Sequence, residues 1–378
     1  MLCKRSKGNF GTSLPGAIQS EYGTSKFSLG AVPRHGHWDA GFAFFLKEIS
    51  MCACTRTHTW PNGRGTFRPA LSAGSLALMT VWSLAAASPM APAPSPDSLP
   101  AVAQVTTPSG IRIHALRTGW VGVKATHREL DVPRWLALPS ILLGQRWADW
   151  MPIIVFAVEH PEGVFLVDTG PSPRINEADY FACDSANAFF YQRNMRFAVP
   201  ARDTLSPRLA EVGIAADKVA TVLITHFHAD HIGGVDVVRR ARMLTGAGNW
   251  PRHTGSFTCR LPTGFTPSPV RFEGDTLLSL PASAALTADG KVRVVALPGH
   301  TPGHVGLAVS DGGHTWLMVG DATFDEDQTL RGAVTGVIQD IALAVASQRQ
   351  LKALLDSAAV TLLPSHDPSV FARLAKPR

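Results

Sequence analysis

Between Thr225 and Gly234 the chain reads T-H-F-H-A-D-H-I-G-G, which puts His226, His228, Asp230 and His231 within six positions. Histidine is intermediate in burial and aspartate is rarely buried without a partner, so packing does not explain such a cluster. Neutral imidazole nitrogens and carboxylate oxygens are the ligands that suit zinc and related first-row cations. The apolar run from Val219 to Thr225 precedes the cluster and reads as a strand delivering its next loop to a metal.

Further polar residues stand where other apolar runs end. L-P-G-H-T-P-G-H places His300 and His304 four apart across two Pro-Gly turns, Asp321 follows Trp316 to Val319, and His366 follows T-L-L-P-S. Each is a weak signal by itself. Together with the first cluster they reach the count of about seven protein ligands that two metals sharing a carboxylate require.

The elements that must position these residues alternate between strand and helix. Gly110 to Leu116, Pro152 to Val158, Val164 to Val167, Val219 to Thr225, Val292 to Leu297, Thr315 to Val319 and Val360 to Leu363 read as strands. Glu159 to Gly163 marks a hairpin turn. Leu205 to Val212, Asp236 to Leu244 and Ile341 to Leu355 read as helices, while 171–204 and 245–290 read as irregular. The expected class is an α/β sandwich with loops gathered at one edge.

The ordered pattern H-x-H-x-D-H, P-G-H, an Asp after an apolar strand and a last His resembles the metallo-β-lactamase superfamily over roughly residues 110–370. That resemblance implies a four-layer αββα sandwich with the metal site at one edge. It implies two divalent ions, zinc by preference, with His226, His228 and His300 on one, Asp230, His231 and His366 on the other, and Asp321 bridging. Asp168 in V-F-L-V-D-T-G and His304 would support the ligand loops rather than bind metal. Asp230 would receive the proton of a hydroxide nucleophile shared by the metals and pass it to the leaving group.

Within the superfamily, the stretch from Trp150 to Gly170, P-G-H-T-P-G-H, G-D-A-T-F and L-L-P-S-H-D-P resemble the N-acyl homoserine lactonase branch. A bridging Asp321, with no cysteine in a ligand position, argues against the true β-lactamases. That branch usually carries a tyrosine three residues after the bridging aspartate, and here the position is Phe324. A missing hydroxyl removes a donor worth about 2–4 kcal/mol of transition-state stabilisation. Phe324 would instead line an apolar pocket, or Tyr180 or Tyr191 would supply the hydroxyl. Trp147, Trp150, Phe189, Phe190 and Tyr191 could wall an acyl or aryl pocket, although core and loop anchoring explains them equally well.

The resulting expectation is a dinuclear hydrolase of lactones or related carboxylic esters, including N-acyl homoserine lactones. An exported hydrolase of phosphotriesters or aryl esters is the alternative, and a metal-binding protein with lapsed chemistry is the reading from another class. The intact set of seven ligands speaks against the last.

At 378 residues, with 45% hydrophobic and 17% charged content, the chain can build a sizeable core. Its net charge of +6 lies wholly in residues 1–94, which hold nine of 35 basic and three of 29 acidic residues, leaving 26 of each to cancel. The folded part therefore offers no electrostatic case for a nucleic-acid partner; the expected partner is a small ester or lactone. Residues 1–68 read as an extension outside any domain. Residues 69–100 hold an apolar, small-residue, signal-like segment and a Pro-rich linker, with Met51 a second candidate start, and 101–378 the hydrolase domain. Cleavage of that segment would leave no membrane span and an exported, periplasmic or secreted protein; without cleavage the chain would be cytoplasmic or carry a single-span anchor. Cys183 and Cys259 are then small hydrophobes or, in an exported protein, a single disulfide.

Overall fold

The structure is a computed structural model that describes residues 90–376 apart from Pro96 and Ala358. The expectations for residues 1–68 and for the apolar segment up to Ser88 lie outside the described residues. The strands are β1 (Val102–Thr106), β2 (Arg112–Val123), β3 (Met151–His160), β4 (Gly163–Val167), β5 (Met195–Ala198), β6 (Val219–Ile224) and β7 (Arg242–Gly246). Then come β8 (Ser268–Val270), β9 (Ser283–Ala285), β10 (Val292–Ala296), β11 (Val305–Asp311), β12 (His314–Gly320) and β13 (Val360–Pro364). The helices are α1 (Ala125–Arg128), α2 (Ala137–Leu143), α3 (Ser185–Asn194), α4 (Leu205–Glu211), α5 (Ala229–Ile232), α6 (Glu326–Arg331), α7 (Ile341–Ser357) and α8 (Val370–Ala375).

Two sheets form. The first runs β1-β2-β3-β4-β6-β7-β8 with β5 also paired to β2, and the second runs β13-β12-β11-β10-β9. Pairing is antiparallel from β1 to β4 and parallel from β4 through β6 and β7 to β8. Strand β3 is buried along nearly its whole length, and its period of two divides it between two cores. Ile154, Phe156 and Val158 face the second sheet, where Val294, Leu307, Val309, Trp316 and Met318 meet them. Val155 and Ala157 face the other way, with Leu205 and Leu209 of α4. On the far side, Val295, Leu297, Leu317 and Leu362 pack with Leu351 and Leu354 of α7. These contacts make the four layers that the sequence implied. Phe156 is wholly buried in the central layer, and truncation to alanine there costs about 3–5 kcal/mol.

Two local expectations are corrected. Residues 236–244 are not a helix: a short 3-10 turn at Val235–Val238 leads into β7, which pairs with β6 in parallel. The valines that suggested one helical face are buried by the turn, and the sheet claims the rest. Residues 171–204 are not wholly irregular, because α3 forms there with Asp184 as its N-cap, accepting the Asn187 N–H at 3.3 Å. Among the described residues no helix is long and apolar enough to cross a membrane.

Candidate metal centre

Every candidate ligand sits on a segment leaving the C-terminal end of a strand, all at one edge of the sandwich. Strand β6 delivers His226 and His228 and then the short α5 with Asp230 and His231. His300 follows β10, Asp321 follows β12, and His366 follows β13. All but His228 are fully buried. Two groups result: His226, His228, His300 and Asp321 in one, Asp230, His231 and His366 in the other.

Asp321 faces both. Its Oδ1 lies 3.3 Å from His231 Nε2 and 3.2 Å from His366 Nε2. Its Oδ2 lies 3.7 Å from His226 Nε2 and 3.6 Å from His300 Nε2. Asp230 Oδ2 stands 3.7 Å from His366 Nε2 and 3.9 Å from His231 Nε2.

Hydrogen bonds behind the cluster set the tautomers. His231 Nδ1 donates to Asp168 Oδ2 at 2.8 Å, and His366 Nδ1 to the Pro152 carbonyl at 2.9 Å. Thr225 Oγ1 donates to Asp168, so it accepts from His226 Nδ1 at 3.0 Å. A neutral imidazole that donates on Nδ1 presents a lone pair on Nε2. Three such lone pairs therefore point inward. Around His228, Nδ1 lies 2.9 Å from His226 Nε2 and 3.2 Å from His300 Nε2.

The residues fit a pair of divalent cations. His231 Nε2 and Asp321 Oδ1 are buried without a hydrogen-bond partner, and nitrogen lone pairs that converge this closely repel one another unless a cation lies between them. Burial, with the neighbouring imidazoles, holds His226 and His228 well below the ordinary histidine range, and burial takes His300 down to about 4. Burial also lowers His231 and His366, but Asp321 and the other carboxylates override it and raise both. Burial raises Asp230, whereas for Asp321 the charges of His366 and His231 outweigh burial and hold it well below the usual carboxylate range.

The supporting residues also have places. Asp168, at φ 64, accepts the Thr225 N–H at 2.8 Å as well as His231. His304 Nε2 accepts the Asp321 N–H at 3.2 Å. Gly320, at φ 53, makes the turn into Asp321, and a Cβ there would lie 2.9 Å from the Thr225 side chain. Asn249 went unnoticed in the sequence. Its amide donates to the carbonyls of Thr225 and Gly303, 2.8 Å each, tying two ligand loops together. A lone loop asparagine has no spacing pattern to reveal it.

The aromatic residues separate. Phe324 is buried edge-on to His366, with ring centroids 5.2 Å apart, and shares an apolar cluster with Tyr180, Phe181, Tyr191 and Phe257. The Tyr191 hydroxyl is spent on backbone, accepting the Ala229 N–H at 3.1 Å and donating to the Gly255 carbonyl at 3.3 Å. Trp147 and Trp150 are outside that cluster. Trp147 is in contact with two cations, Lys124, whose Nζ is 3.9 Å from the ring centroid, and Arg196 at 4.9 Å. The Trp150 indole donates to the Ala91 carbonyl of the Pro-rich linker at 2.9 Å. Cys183 and Cys259 are joined in a disulfide.

Comparison with known proteins agrees with this architecture. A family profile described as the metallo-beta-lactamase superfamily matches residues 148–366. An N-acyl homoserine lactonase, AiiB, of Agrobacterium fabrum is 24% identical over 241 residues, covering 60% of this chain and 83% of its own. A probable metallo-hydrolase of Mycobacterium tuberculosis is 29% identical over 181 residues, covering 45% of this chain; the match spans only 56% of that relative's length. Among solved structures, an N-acyl homoserine lactone hydrolase with N-hexanoyl-L-homoserine at its catalytic metal centre superposes with a TM-score of 0.55 at 17% identity, covering 70% of this chain and 94% of that one. With both the profile and the layered sheets in agreement, the chain belongs to the metallo-β-lactamase superfamily.

Proposed function

We propose that residues 101–378 form a metal-dependent hydrolase that holds two divalent ions, zinc by preference, and opens lactones or cleaves related carboxylic esters. The observation that carries this reading is Asp321, whose two oxygens face two separate groups of buried ligands. His226, His228 and His300 would hold one ion, Asp230, His231 and His366 the other, and Asp321 both. Bound there, the ions supply a water acidic enough to ionise at neutral pH and polarise the substrate's carbonyl. Asp230, buried beside His366 and His231, takes the proton released by the nucleophile and returns it to the departing oxygen. Asp168 and the Pro152 carbonyl keep His231 and His366 in their inward-facing tautomers throughout. The likeness to N-acyl homoserine lactonases supports those signalling lactones as the substrate class, and so a quorum-quenching role.

One observation favours a second reading. Phe324 presents no hydroxyl, and that of Tyr191 is already engaged. Substrates that need no donor at that point, such as aryl phosphotriesters or aryl esters with good leaving groups, suit this wall. The Cys183–Cys259 disulfide supports export to an oxidising compartment for either reading.

Metal analysis with hydrolysis of a lactone panel and an aryl phosphotriester, using His228→Ala as control, tests the proposal. Two ions and lactone opening are expected in the wild type, and loss of both properties in the variant. Two bound metals with no cleavage of either class would end the ester-hydrolase assignment, and preference for the phosphotriester would promote the second reading.

A further inference from the structure

The backbone N–H groups of Phe227 and Ala229, the residues on either side of His228, are held by side chains from elsewhere in the chain. The Phe227 N–H donates to His253 Nε2 at 3.3 Å, and the Ala229 N–H donates to the Tyr191 hydroxyl at 3.1 Å. The carbonyl of Phe227 accepts the N–H of Phe257 at 2.7 Å. Among the described residues, His253 is in none of the groups of His, Cys, Asp and Glu side chains that could hold an ion.

Because His253 Nε2 accepts, its ring proton sits on Nδ1, 2.9 Å from the Thr254 carbonyl. Gln339 donates its side-chain amide to the same carbonyl at 2.9 Å, and its backbone N–H lies 3.1 Å from the Gly299 carbonyl and 3.3 Å from that of His300. The chain of contacts therefore runs from the first ligand loop to the loop of His300. Tyr191 extends it by donating to the Gly255 carbonyl. Gly255 itself, at φ +82, packs on the outer nitrogen of His228, where a Cβ would come within 2.8 Å of Nε2. With Nε2 covered by backbone, Nδ1 is the nitrogen that faces His226 and His300.

We propose that His253 and Tyr191 are positioning residues for the metal centre, holding the backbone N–H groups of the residues before and after His228 so that its Nδ1 is aimed at the ion. This rests on the reading that the clustered ligands bind divalent metal. It assigns Tyr191 to the ligand loop rather than to the substrate. It also gives the 253–257 segment a purpose: it forms the outer half of the clamp.

The test is zinc affinity of the full chain by chelator competition, together with the visible absorption of the cobalt-substituted protein, for Tyr191→Phe, His253→Gln and His253→Asn. Glutamine places an oxygen near the position of Nε2 and keeps the acceptor for Phe227, whereas asparagine reaches only the position of Nδ1. Tyr191→Phe and His253→Asn are expected to weaken binding of one ion by about 10–100-fold and to shift the cobalt bands. His253→Gln is expected to retain most of the affinity. Equal losses in the two His253 variants, or unchanged affinity in Tyr191→Phe, would overturn the clamp. Should His253→Asn fail to fold, Tyr191→Phe still decides, since it keeps the ring stacked on Phe181 at 4.7 Å. A wild type that takes up two zinc ions but cleaves no ester ends the hydrolase reading while the clamp is still measured by affinity. A wild type that takes up none overturns both.

Discussion

Asp168 and His231 meet at the sheet edge with Oδ2 and Nδ1 2.8 Å apart, each side chain only 1% exposed. The same carboxylate accepts the Thr225 N–H and hydroxyl, so one residue after β4 orients the loop after β6. Asp168 does this from a left-handed backbone, at a cost of order 1–3 kcal/mol that its hydrogen bonds offset.

Asp168→Asn tests that relationship. Asparagine tolerates the backbone, so the fold should survive. The full negative charge opposite His231 is lost, and zinc affinity should fall by about 10–100-fold. Chelator competition checks this, and an unchanged affinity would remove Asp168 from the support of the site.

Phe324→Tyr adds the hydroxyl that the wall beside His366 lacks. Lactone turnover should rise relative to that of an aryl phosphotriester, by up to the ~10²-fold associated with one well-placed donor. The readout is the ratio of kcat/KM for the two substrates. A ratio that stays constant would mean that position 324 does not approach the reacting oxygen.

The Cys183–Cys259 bridge spans 76 residues and ties the segment before α3 to the one after Phe257. Closing so long a loop restricts the unfolded chain, so Cys183→Ser with Cys259→Ser should lower stability by about 2–4 kcal/mol. Denaturant unfolding of metal-free protein measures the difference. Equal midpoints would show that the bridge contributes nothing.

Asp311, at the end of β11, accepts from Lys291 Nζ at 2.8 Å and from the Ser109 N–H at 2.7 Å. Burial raises its carboxyl, but these partners outweigh burial and hold it well below the ordinary range. The folded state then binds this proton less readily than the unfolded state. Its stabilisation is complete above the unfolded value of about 3.9 and is lost as pH falls below it. Unfolding of wild type and Asp311→Asn between pH 3 and 7 should show a gap that is widest at neutral pH and narrows in acid. A gap that widens in acid would contradict the assignment.

The first cluster was legible because its signal is local. Four polar ligands in six positions after an apolar strand leave little room for another explanation, and period-two apolar runs mark most of the strands. Helix α3 was missed because Asp184 and the short run behind it lie in a segment rich in turn-forming and aromatic residues. Strand β7 was misread because its pairing with β6 outweighed the local pattern.

The clustering of His226, His228, Asp230 and His231 was thus set by the sequence, through a six-residue spacing that any fold must respect. How they point was decided by tertiary structure, because tautomer and direction depend on partners far away in the chain. Asp168 turns His231, the Pro152 carbonyl turns His366, and Thr225 turns His226. The same holds for the aromatic residues. Burial beside His366 put Phe324 at the centre, while cations drew Trp147 away and backbone groups engaged the hydroxyl of Tyr191. Hydrogen bonds and cation–π contacts act over a few ångströms with strict geometry, and only the packed sheets bring those groups within range.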